Sequence, residues 1–121
     1  MNYFDQKNDT ICALSTANGM GAIAVIRISG AAAFEITNRI FTKNIAEVPS
    51  HSAHFGRIKN AAGEIIDEVL LTVLKEGRSF TSENTVEIAC HGSTYIQQQI
   101  LQLLLTSGCR MAQPGEFTMR A

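Results

Sequence analysis

The chain has 121 residues, of which 45% are hydrophobic and 17% charged, with a formal net charge of −1 and a pI near 6.3. That is one globular domain with enough apolar content for a core. It carries no basic field that would make it a nucleic-acid binder by itself. The N-terminus has no apolar signal run, and no stretch is long enough to span a membrane.

Met1 to Asn8 is polar and expected to be loose. Thr10 to Leu14 reads as a short strand, followed by the turn-rich loop Ser15 to Gly21. Ala22 to Ser29 is the strongest strand, with Ile23, Val25 and Arg27 on one face and Ala24, Ile26 and Ile28 on the other. Ser29-Gly30 ends it and opens a helix over about Ala31 to Phe41, whose stripe is Ala33, Ile36 and Ile40 with Phe34 and Phe41 flanking. Thr42 to Ser52 is a loop. Ala53 to Lys59 and Glu64 to Lys75 are two strands joined by the turn Asn60 to Gly63. Glu76 to Asn84 is a polar loop with one aromatic, Phe80. Thr85 to Cys90 is a strand and His91-Gly92 a turn. Ser93 caps a helix over Thr94 to Ser107 that buries Ile96, Ile100, Leu103 and Leu104, and Gly108 fits the position just after its end. Cys109 to Ala112 is a last short strand. Pro114-Gly115-Glu116 resembles a helix start. A helix begun so close to Ala121 suggests a piece of a longer protein. Irregular alternation with hairpin-like pairs favours an α+β domain with a mixed or antiparallel sheet and two main helices.

Two ionisable side chains interrupt strands that otherwise read as buried: Arg27 in Ala22 to Ser29, and Glu87 in Thr85 to Cys90. A buried charge needs a partner or a polar ligand. Either the two pair across the sheet, or they face a ligand. A carboxylate can accept parallel hydrogen bonds from an amino group and a neighbouring ring N–H, and a guanidinium can donate a fork to a carbonyl or carboxylate. Rigid strands suit such a site.

Other signals are weaker. Gly19-Met20-Gly21 precedes a strand, so it is not a dinucleotide fingerprint, and no phosphate-loop sequence exists. Cys12, Cys90 and Cys109 are widely spaced, as expected for reduced thiols of a cytosolic protein. Cys90 and His91 point to opposite strand faces and do not suit a nucleophile and base. His91 reads as a structural histidine at a turn. His51 and His54 lack a third ligand for a metal. Phe80, on its loop, suits a ligand contact or a small local core equally.

Four stretches in order carry a resemblance. They are Asp9-Thr10-Ile11, then Gly21 to Gly30 with its Arg27-Ile28-Ser29-Gly30 end, then Ser79-Phe80-Thr81 through Val86-Glu87-Ile88 to His91-Gly92. The fourth is Arg110 to Ala121, with Pro114-Gly115-Glu116-Phe117-Thr118 and Arg120-Ala121. Together they span nearly the whole chain and resemble the N-terminal domain of the MnmE (TrmE) family of bacterial tRNA-modification GTPases.

The resemblance implies a fold similar to the tetrahydrofolate-binding module of the glycine-cleavage aminomethyltransferase. It implies binding of 5-formyltetrahydrofolate or another tetrahydrofolate derivative, and a constitutive homodimer. Full-length members add a helical domain and a G domain using GTP, Mg and K. With the flavoprotein MnmG they modify carbon five of the wobble uridine of tRNA in the cytoplasm. The family's folate-contacting arginine falls on Arg27 and its glutamate on Glu87. A third contact, a lysine, falls beyond Ala121. Residues 77–84 depart from the family's loop pattern, and Ser93 replaces a glycine. The domain alone is not expected to be catalytic. Two other readings stay open: a purely structural dimerisation domain, and a free-standing folate-dependent one-carbon transferase.

Overall fold

The computed structural model describes residues 9–16, 23–75 and 83–120. The expectations for Met1 to Asn8, for Gly19-Met20-Gly21 and for Phe80 fall outside them. Six strands, β1 (Ile11–Leu14), β2 (Ile23–Ser29), β3 (Ser52–Lys59), β4 (Ile65–Leu74), β5 (Thr85–His91) and β6 (Arg110–Met111), form one sheet in the order β3-β4-β5-β2-β1-β6. Every neighbouring pair is antiparallel except β1 with β6, which is parallel. The helices are α1 (Ala33–Ile40), α2 (Thr94–Thr106) and the four-residue α3 (Glu116–Met119). The class is therefore α+β with a mixed sheet. Among the described residues, no helix is long and apolar enough to cross a membrane.

Strand alternation decides which face holds the core. Ala24, Ile26 and Ile28 of β2, Val69, Leu71 and Val73 of β4, and Val86, Ile88 and Cys90 of β5 are buried together. They join Ala33, Ile36 and Ile40 of α1 and Ile100 and Leu104 of α2 in one cluster. Fully burying an aliphatic side chain of this size is favourable by roughly 1.5–3 kcal/mol, so the two apolar helix stripes hold the helices on this face. The α2 stripe is wider than its sequence spacing suggests. Ile96 and Leu103 are only partly buried, while Leu101 and Gln97 are buried. Gln97 is tolerated there because its Nε2 donates to the carbonyl of Gly92 at 3.2 Å.

The helix ends differ in how their backbone groups are satisfied. Ser93 caps α2, its hydroxyl accepting from the N–H of Ile96 at 3.4 Å. The residue before α1, Ala32, has no side chain to do this; its own N–H donates to Thr10 Oγ1 at 3.1 Å. This makes the start of α1 depend on the segment leading into β1. Gly30 permits the approach. Its φ is 144°, and a Cβ there would sit 2.6 Å from the Thr10 backbone, so a side chain is excluded twice over. The helix consequently starts at Ala33, after a turn, two residues later than the apolar spacing predicts.

Cys12, Cys90 and Cys109 are free, buried thiols. Burial pushes the Cys90 thiol up to about 11, with Asp67 adding to the effect.

Candidate functional site

Arg27 and Glu87 are direct partners across the antiparallel β2–β5 pair. They lie on the face of the sheet opposite the helices. Arg27 Nε and Nη2 both donate to one oxygen, Glu87 Oε2, at 2.9 and 2.8 Å. The side chains are 24% and 29% exposed. The cross-strand pair expected as one of two readings is thus present. It leaves the carboxylate half used, because Glu87 Oε1 accepts from no donor among the described residues.

The same row runs on to Ala13 of β1, opposite Arg27, and to Thr72 of β4, opposite Glu87. The small side chain of Ala13 leaves room beside the guanidinium. A cleft of about 420 Å³ opens there, lined by Ala13, Ser15, Arg27, Gln113, Pro114 and Phe117 among others. That volume is within the range of about 300–1,000 Å³ usual for small-molecule sites. Among the described residues, Arg27 is the one charged residue in the lining, and Glu87, its cross-strand partner, is not in it. The Phe117 ring lies under the guanidinium, its centroid 5.6 Å from Arg27 Cζ, within reach of a cation–π attraction.

The far wall of the cleft, residues 112–118, is tied down by a second group of charges. Glu116 is buried and accepts from two arginines. Arg110 Nη1 and Nη2 reach Oε1 and Oε2 at 3.1 and 2.7 Å, and Arg120 Nη2 reaches Oε2 at 3.2 Å. The backbone N–H of Gln113 donates to Oε1 at 2.9 Å. Arg110 Nε donates to Asp9 Oδ2 at 2.8 Å, and Arg120 Nη1 to the Asp9 carbonyl at 2.7 Å and to Glu83 Oε2 at 3.2 Å. Ser29 donates its hydroxyl to the same Glu83 oxygen at 3.0 Å. Segments leading into β1 and β5 and following β6 therefore meet beside the ends of β1, β2 and β5. The Arg110 hydrogen bond holds the Glu116 carboxyl below the usual carboxylate range, and Glu116 in turn holds the Arg110 guanidinium firmly protonated.

His91, read from sequence as structural and alone at its turn, has a buried partner. Its backbone N–H donates to Asp67 Oδ2 at 2.8 Å, and its Nδ1 meets Asp67 Oδ1 at 2.6 Å. Asp67 lies in β4 in phase with buried Val69, Leu71 and Val73. A charge inside an otherwise apolar strand is the signal that marked Arg27 and Glu87, and it was equally legible here, on the opposite face of the sheet. Cys90 is buried among the core side chains while His91 is exposed, as their opposite strand phases imply. Phe117 and the Glu116 network are what the sequence reading did not single out. The spacing of Glu116 to Arg120 on α3 was visible; the long-range contacts to Asp9 and Glu83 were not.

The sequence profile described as "GTP-binding protein TrmE N-terminus" matches residues 10–121. Among curated proteins, a tRNA modification GTPase MnmE of Cytophaga hutchinsonii is 58% identical over 114 residues, covering 93% of this chain and 25% of that protein. The proteins of the same name from Flavobacterium psychrophilum and Parabacteroides distasonis are each 55% identical, covering 94% and 93% of this chain and 25% of theirs. The chain thus spans about a quarter of the length of the curated relatives it matches. A profile that takes in nearly every described residue, the Arg27–Glu87 pair and Glu83, Arg110, Glu116 and Arg120 included, shows that this chain belongs to the TrmE N-terminal family.

Proposed function

We propose that this chain is the tetrahydrofolate-binding and homodimerising domain of a tRNA-modification GTPase of the MnmE type. The observation that carries the folate reading is the half-used Glu87 carboxylate, its Oε1 open among the described residues, beside an arginine that lines a cleft of about 420 Å³. A folate such as 5-formyltetrahydrofolate offers matching chemistry. Its amino-pterin edge donates hydrogen bonds that Glu87 Oε1 can accept, and its carbonyl and carboxylate groups accept from Arg27. The fold that the family resemblance implies, similar to the folate module of the glycine-cleavage aminomethyltransferase, would suit the same ligand. In the full-length protein, the G domain would use GTP, Mg and K, and MnmG and tRNA would be the partners in modifying carbon five of the wobble uridine. The domain itself would bind and dimerise rather than catalyse.

The dimer reading rests on the helix-free face. Phe55, Leu70, Ala89 and Val25 line up across β3, β4, β5 and β2. Phe55 is 72% exposed and Ile23, on the same face, 65%. Exposed large apolar groups on one sheet face are the usual mark of an interface. Sedimentation at micromolar concentration should give a dimer, and Phe55→Glu should shift it toward monomer; a wild-type monomer would remove the claim.

Calorimetric titration with 5-formyltetrahydrofolate, with Glu87→Ala alongside, tests the ligand. Binding that the variant loses is the expected result. The pairing of Arg27 with Glu87 favours one competing reading, a dimerisation scaffold in which the pair is only an internal contact. Unchanged folate affinity in Glu87→Ala, or no folate binding by wild type, would leave that reading standing.

A further inference from the structure

We infer that Phe117 is the ring-stacking residue of the ligand cleft and determines its preference for a planar heterocycle; this rests on the folate reading above. The ring is half buried and lines the cleft together with Pro114 and Ala13. Arg27 Cζ lies over part of one ring face, 5.6 Å from the centroid, and both side chains line the cleft, so a ligand ring would meet the remaining π surface with the guanidinium at its edge. That is the combination a flat, carbonyl-bearing ring system needs: a π surface for its face and a guanidinium for its edge. Among the described residues, the cleft lining holds no acidic side chain.

The position of the ring is fixed by its chain neighbour. Glu116 accepts from Arg110, Arg120 and the Gln113 backbone. Gly115 sits at φ 77° immediately before it, a conformation that glycine adopts readily. The backbone on the N-terminal side of Phe117 is therefore held by bonds in which the Arg27 guanidinium takes no part. A rigid aromatic on such a support loses little freedom when a ring stacks on it, which favours binding.

Three probes separate the parts of the ligand: 5-formyltetrahydrofolate, a bare tetrahydropterin, and p-aminobenzoylglutamate, which lacks the pterin. Phe117→Leu keeps an apolar side chain and removes the π face. It should weaken the folate and the tetrahydropterin by roughly tenfold each, the scale of one aromatic stack. The benzoylglutamate should be unaffected, and Phe117→Tyr should restore both affinities. The chain has no tryptophan, so Phe117→Trp supplies a single indole signal, whose emission should be quenched as folate saturates. That readout does not depend on whether the leucine variant folds well. Unchanged affinities in Phe117→Leu, or an indole emission unmoved at saturation, would overturn the stacking role while a Glu87→Ala loss kept the folate reading. No folate binding by wild type would remove both.

Discussion

The two charge groups of this domain are built from the same residue types and behave as opposites. Glu116 is buried, and both of its oxygens are taken by guanidinium and backbone donors. Glu87 is 29% exposed and uses one oxygen, with the other open among the described residues. The first group joins distant segments and leaves little capacity for anything else. The second joins adjacent strands, which the backbone ladder already holds together, and keeps an acceptor in reserve beside a cleft. A saturated carboxylate reads as a staple, and a half-used one beside a cleft reads as a site.

Breaking the staple should have the largest effect. Glu116→Ala removes the main acceptor of Arg110 and one acceptor of Arg120, whose side chain is only 6% exposed. The expected loss is about 3–5 kcal/mol in denaturant unfolding, the scale of removing one partner from a buried ion pair. Asp67→Ala comes next. It strips the His91 N–H and imidazole of a buried acceptor, for an expected loss of about 1–3 kcal/mol by the same measurement.

Acid should sharpen the contrast further. The Glu116 carboxyl is held below its ordinary value by Arg110. Its contribution is therefore complete above the ordinary glutamate range and is lost as the pH falls below that range, through the depressed folded value. Wild type should lose stability across that window more steeply than Glu116→Gln, measured by unfolding midpoints at stepped pH. Equal slopes would mean that the network contributes no linkage.

Glu87→Ala should have the smallest effect on stability, under about 1 kcal/mol, because the pair it breaks is partly solvated. A loss as large as that of Glu116→Ala would erase the distinction between staple and site.

Periodicity made most of the sheet readable. Arg27 and Glu87 were found because each sits on an alternating strand where an apolar residue would serve, and antiparallel register then set them opposite one another. Asp67 carried the same signal within β4. The Glu116 network left almost no trace in the sequence. Its members come from positions 9, 83, 110, 116 and 120, and beyond the i,i+4 spacing of Glu116 and Arg120 no local period links them. Phe117 escaped for a related reason: its place over Arg27 follows from how the C-terminal segment docks. The late start of α1 came from Gly30 crossing close to Thr10, a packing fact that the apolar stripe does not encode.

The parallel pairing of β1 with β6 is only two residues long, and the Arg120 bond to the Asp9 carbonyl closes a loop of 111 residues. Contacts that join nearly the whole chain are made late in folding, after the nearer strands have paired. So short a ladder also opens without unfolding the centre of the sheet. The amides of Arg110 and Ala112, which donate to Thr10 and Cys12, should then exchange with solvent hydrogen sooner than those of β2 and β5. The wall bearing Phe117 would be the last part of the domain assembled and the first to let go. A ligand seated against that wall should slow exchange at those two amides above all others, so occupancy of the cleft would be felt as closure of the ring that joins the chain's two ends.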